Sequence, residues 1–105
     1  MRDILLARRD LVFDGVIATD DGLAVGAVKY AKAKKLSVPQ DISIIGYNNS
    51  ELSIGCEPEL TSIDGRGDLL CKMTIDSLME VLKGESVEHR KYVRCRLEKR
   101  CTTDF

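Results

Sequence analysis

No excess of basic charge runs through these 105 residues. Sixteen Lys and Arg face seventeen Asp and Glu, for a formal net charge of -1 at neutral pH, so the segment has no electrostatic grip on a phosphate backbone. Nucleic-acid binding by this segment alone is not expected on that ground. Long apolar runs are lacking as well. Ile4-Leu5-Leu6-Ala7, after Met1-Arg2-Asp3, is too brief for the core of a signal peptide or for a membrane span. No membrane role is expected, and the chain reads as cytoplasmic.

Paired catalytic chemistry is also missing. The four cysteines, Cys56, Cys71, Cys95 and Cys101, form no C-x-x-C, and the lone His89 adjoins none of them. A disulfide framework, a metal site and a thiolate nucleophile with its base are therefore disfavoured, and the cysteines read as ordinary core or surface residues. The adjacent carboxylates Asp20 and Asp21 project apart, which does not suit an acid and base working together. Neither G-x-G-x-x-G nor a P-loop is present. No enzyme activity and no cofactor are expected.

What is present is an alternation of strands and helices that fits one domain. An apolar cluster at 2–9 ending in Arg8-Arg9 suits the last turns of a helix. Val16-Ile17-Ala18 predicts a short strand covered on both faces, as in a parallel sheet. A helix follows in which Leu23, Ala24, Ala27, Val28, Tyr30 and Ala31 share one face. Lys29, Lys32, Lys34 and Lys35 gather at its C-terminal end as a solvated face. Its small residues, including Gly26, permit close approach to a sheet or a second helix.

Pro39 stops that segment, and Ile42, Ile44 and Ile45 predict a second strand ahead of Gly46. Tyr47 to Glu59 has neither helical nor strand period and reads as a long polar loop. Leu60-Thr61-Ser62-Ile63 is a short extended piece. Asp68 is placed to cap a helix whose stripe is Cys71, Ile75, Leu78 and Leu82, widened by Leu70, Met73, Met79 and Val81, and Lys83-Gly84 ends it. Alternation from Tyr92 to Glu98 predicts a half-exposed or edge strand.

Both early strands end in hydrogen-bonding side chains, and ligands in open α/β sheets collect beyond the carboxyl ends of strands. Asp20 and Asn48 are the candidate ligand-binding residues. Asp20 or Asp21 can cap the helix that follows, and Asp21 reads as a cap before a ligand contact. Asn49 and Ser50 read as shaping the turn through local backbone bonds.

Taken in order, four motifs resemble the C-terminal part of lactose/galactose-repressor-type (LacI/GalR) transcription regulators. They are Asp14-Gly15-Val16-Ile17-Ala18-Thr19-Asp20-Asp21, Ala24-x-Gly26-Ala27, Val38 to Tyr47, and Pro58-x-Leu60-Thr61-Ser62-Ile63, with Arg100-Cys101-Thr102-Thr103 closing the chain. The resemblance implies an α/β, parallel-sheet, periplasmic-binding-protein-like fold with a flavodoxin-like lobe, here as an incomplete two-lobed domain. It further implies the effector-binding and dimerisation module of a repressor that responds to a sugar or nucleobase. In such a protein DNA is read only by an N-terminal helix-turn-helix, which this stretch does not include. Residues 1–63 would belong to the C-terminal lobe, and 64–105 would hold the crossover helix and strand of the other lobe plus a C-terminal return.

The expected partners are a small sugar-like effector and a second copy in a homodimer. Asn48 stands where the family usually has an Asp that grips the ligand, and Asp20 where an Asn often faces the cleft. Gly65 and Arg66 replace a common Gln-Pro, and Cys71 a usual Gly. A sugar-binding transport protein of the same fold is the alternative. The helix 68–83, cut off from its sheet, is expected to hide its apolar face by dimerisation, swapping or repacking onto its own sheet.

Overall fold

The computed structural model describes residues 1–7 and 12–105; the expected helix end at Arg8-Arg9 lies outside the described residues. The elements run α1 (Arg2–Ala7), β1 (Gly15–Ile17), α2 (Asp21–Ala33), β2 (Ser43–Tyr47), α3 (Glu51–Gly55), β3 (Thr61–Asp64), α4 (Gly67–Leu82) and β4 (Arg96–Glu98). The strands form one sheet in the order β1-β2-β3-β4. β1, β2 and β3 are parallel, with Val16 opposite Ile44 and Gly46 opposite Ser62, while β4 runs antiparallel to β3. This is the parallel-dominated α/β sheet that the alternating elements predict.

The core is small and built largely of alanine. Ala18, Ala24, Ala27, Val28, Ala31, Ile42, Ile44 and Leu60 are all buried. Its largest apolar side chains, Ile42, Ile44 and Leu60, each contribute about 1.5–3 kcal/mol by leaving water. Short side chains on α2 let the helix lie close to β2. At Gly46 this approach is so tight that a Cβ would overlap Asp21 Oδ1 and sit 2.8 Å from Leu60 Cδ2. On the outer side of α2, a Cβ on Gly26 would lie 3.1 Å from the Arg2 nitrogen, and there α1 packs.

Several expectations from the sequence are corrected. β1 is not covered on both faces: Ile17 is 77 % exposed, on a sheet face that nothing among the described residues covers, and β1 also forms one edge of the sheet. The polar passage after Tyr47 contains α3, one short helix closed onto the core by Ser53, too brief to show a period. Asp68 does not cap α4. Arg66 holds the N-cap position in a left-handed conformation (φ 54°, ψ 53°), and Asp68 falls in the first turn, where the helix dipole favours its charge. The strand expected from Tyr92 shortens to Arg96–Glu98, the three residues that find partners on β3.

α4 stands apart from this layer. None of its 16 residues is buried, and Ile75, Leu78 and Leu82 remain 51–71 % exposed. The helix does not repack onto the sheet, and the molecule extends 59 Å in its longest dimension. Residues 88–91 run back beside it, where Lys91 Nζ donates to Ser77 Oγ at 2.8 Å. Gly84, at φ 79°, ends the helix as its sequence predicts. The four cysteines are free thiols.

Candidate functional site

The carboxyl ends of β1, β2 and β3 lie side by side because the three strands are parallel and in register. Beyond them the chain leaves the sheet at Asp20, Asn48 and Asp64-Gly65-Arg66. Three non-glycine residues there take left-handed backbone: Asn48 at φ 98°, Asn49 at φ 49° and Arg66 at φ 54°. Such conformations cost about 1–3 kcal/mol each and persist only where the surroundings over-determine them. A parallel sheet collects ligands at this end.

Asp20 lies just after β1, exposed, and its Oδ1 accepts from the Leu23 N–H at 2.7 Å. Asp20, not Asp21, is therefore the N-cap of α2, with an extended backbone at φ -154°. Capping occupies Oδ1 and leaves Oδ2 at the surface. Asn48 follows β2, also exposed, and its N–H donates to the Ile63 carbonyl at 2.8 Å. That bond continues the β2–β3 ladder one step past the strands.

Asp21 is 1 % exposed. Its Oδ2 accepts from both the N–H and the hydroxyl of Ser50, at 2.6 and 2.8 Å, and its Oδ1 accepts from the Ser62 hydroxyl at 2.6 Å. Ser62 Oγ in turn accepts from the Asn49 N–H at 2.9 Å. A buried carboxylate is costly unless its oxygens are satisfied, and three donors satisfy these. The group joins the start of α2, the start of α3 and the middle of β3. Asn49 and Ser50 thus bond to distant elements rather than only to local backbone. No short-range rule links positions 21, 50 and 62, so the sequence carries no signal for this cluster beyond the presence of two adjacent acids.

On the other flank Asp64 Oδ1 accepts from the Arg66 N–H at 2.8 Å, while Oδ2 lies 3.6 Å from Arg96 Nη2 and 3.5 Å from Asn49 Nδ2. The Arg66 amide foremost, and then the Asn49 amide and the Arg96 and Arg66 charges, hold the Asp64 carboxyl below the usual carboxylate range. Arg100 reaches the same cluster from the C-terminal segment, with Nη2 donating to Asn49 Oδ1 and Nη1 to the Leu60 carbonyl. Asn49, Asp64 and Arg100 brace the candidate site, and sequence reasoning did not select them. The arrangement can hold a polar, hydrogen-bonding ligand against exposed Asp20 and Asn48 on a backbone that is fixed from beneath.

A parallel-dominated α/β domain with its polar loops at the carboxyl ends of the strands is the class that this sheet end defines. The chain belongs to the periplasmic binding protein-like domain family, whose model matches residues 3–103. Its relatives are LacI-type transcriptional regulators. An HTH-type transcriptional regulator of Lachnoclostridium phytofermentans is 45% identical over 100 residues, which make up 95% of this chain and 30% of that protein. Among solved structures, the lac repressor dimer bound to operator and the anti-inducer ONPF superposes with a TM-score of 0.86 at 29% identity, over 97% of this chain and 35% of that one. A periplasmic binding protein/LacI transcriptional regulator from Alkaliphilus metalliredigens complexed with D-xylulofuranose gives 0.76 at 30% identity, over 89% and 35%. The chain thus spans about a third of the length of these relatives. Among the described residues no helix is long and apolar enough to cross a membrane.

Proposed function

We propose that this chain is the effector-binding portion of a sugar-responsive transcription regulator, with Asp20 and Asn48 on one wall of the effector site. The observation that carries the reading is the cluster of left-handed residues Asn48, Asn49 and Arg66 at the ligand-collecting end of the sheet. A sugar bound in one solved relative supports the ligand class. Asn48 offers an amide with both donor and acceptor, which suits neutral hydroxyls.

Residues 1–63 then belong to one lobe, and 64–105 supply the crossover helix, a strand and the return to the first lobe. The rest of a two-lobed protein covers the apolar face of α4 and completes the cleft. Operator DNA falls to a helix-turn-helix outside these residues, the protein works as a homodimer in the cytoplasm, and the effector shifts the population between lobe arrangements.

Calorimetric titration of the full regulator with pentoses, hexoses and disaccharides tests the site. Asn48→Gly is the variant of choice, because glycine accepts φ 98° without strain and only the side chain is lost. Loss of about 1–3 kcal/mol of binding energy with an unchanged melting temperature is expected, the worth of hydrogen bonds to a desolvated polar ligand. Unchanged affinity removes Asn48 from the site.

A further inference from the structure

We propose that Arg100 is a positioning residue for the effector loop, holding Asn48 in place through Asn49. The inference rests on the reading of Asn48 as an effector contact. Arg100 projects from a rigid mount. Its own N–H donates to Thr61 Oγ1 at 2.9 Å, the Cys101 N–H to the Glu59 carbonyl at 2.9 Å, and Thr102 Oγ1 to the Ile44 carbonyl at 2.6 Å. Thr102 Oγ1 also accepts from the Thr61 N–H at 2.9 Å, and Thr61 and Thr103 share a hydroxyl bond of 2.8 Å. Thr61 and Thr102 are fully buried, so this weave is sheltered from water.

From that mount the guanidinium spans two acceptors with its fixed fork, the Leu60 carbonyl at 2.8 Å and the Asn49 side-chain oxygen. Asn49 is the second of two consecutive left-handed residues, and Asn48 is the first. A non-glycine pair in that conformation relaxes unless it is held, and the bonds from Arg100 to Asn49 Oδ1, from the Asn49 N–H to Ser62 Oγ and from the Asn48 N–H to the Ile63 carbonyl hold it. Two of these attach to β3. The third comes from the C-terminal segment, so that segment sets the aim of the Asn48 side chain without touching the effector. Two of the five guanidinium N–H donors are committed to protein oxygens, and these two tie Arg100 to the loop.

The test uses the full regulator and the same sugars, with Arg100→Met and Asn49→Gly as independent ways to cut the contact. Arg100→Met removes the fork while the Arg100 backbone bond to Thr61 survives; Asn49→Gly keeps φ 49° free of strain. Each is expected to weaken sugar binding about tenfold, as loss of a charge-assisted hydrogen bond would. Neither is expected to weaken it further once Asn48→Gly is present, because a residue acting through Asn48 has nothing left to position. A purely structural role predicts the same weakening in both backgrounds, and that result overturns the proposal.

If no sugar binds the unaltered protein, the effector reading itself fails, and NMR decides the positioning role separately. Backbone and side-chain amide signals of Asn48 should move in both Arg100→Met and Asn49→Gly. Asn48 signals unmoved in Arg100→Met overturn it.

Discussion

The α2–sheet layer and the α4 arm carry similar apolar patterns and meet opposite fates. α2 turns Ala24, Ala27, Val28 and Ala31 into the core, whereas α4, with larger side chains at comparable spacing, buries none of its residues. The difference lies in what each helix has beside it. β2 lies against α2 with Ile44 and Gly46 shaped to receive it, while no element among the described residues presents a matching surface to Ile75, Leu78 and Leu82. Amphipathicity states that a face needs cover; it does not say that the cover is in the same stretch of chain.

The sharpest contrast comes from truncating a buried leucine in one region and apolar side chains in the other. Leu60→Ala, at a fully buried position under α2, should cost about 2–5 kcal/mol and lower the midpoint of urea unfolding accordingly. A loss under 1 kcal/mol would mean that the sheet layer is not the stabilising unit. Asp21→Asn comes next. It replaces an acceptor of the Ser50 bonds with an amide donor while the serine groups stay where they are, an expected cost of about 1–3 kcal/mol. Amide exchange at Ser50 should accelerate more than exchange within β2.

At the small end stands α4. Ile75→Ser combined with Leu78→Ser should change the stability of this chain by no more than about 0.5 kcal/mol, as at other exposed positions. Sedimentation should show less self-association, since two apolar side chains leave the surface. A large loss of stability would place the α4 face inside a packed core and erase the contrast.

Much of the sheet layer was legible in the residues. The β-branched run at Ile42–Ile45, the stripe of α2 and the glycine stop after Lys83 each follow from local rules of period and backbone freedom. The edge position of β1 was not, because Val16-Ile17-Ala18 reads the same whether or not another strand lies beyond it. α3 escaped because five residues cannot display a helical period. At the candidate site, Asp20 and Asn48 stood out from their place after two strands. Which of two neighbouring acids caps the helix was not: Asp20 takes the cap because the first turn aims Asp21 inward, where Ser50 and Ser62 meet it.

By itself, then, the sequence determined the order of elements, the polar ends of the first two strands and the resemblance that names the family. Each rests on neighbours within a few residues or on motif order. The tertiary structure alone decided that Asp21 is buried, that Asn49 is tied to Arg100, and that α4 stands uncovered. Those outcomes join positions 29 to 51 residues apart, or depend on a facing surface, and no local pattern encodes what the far side of a contact will be.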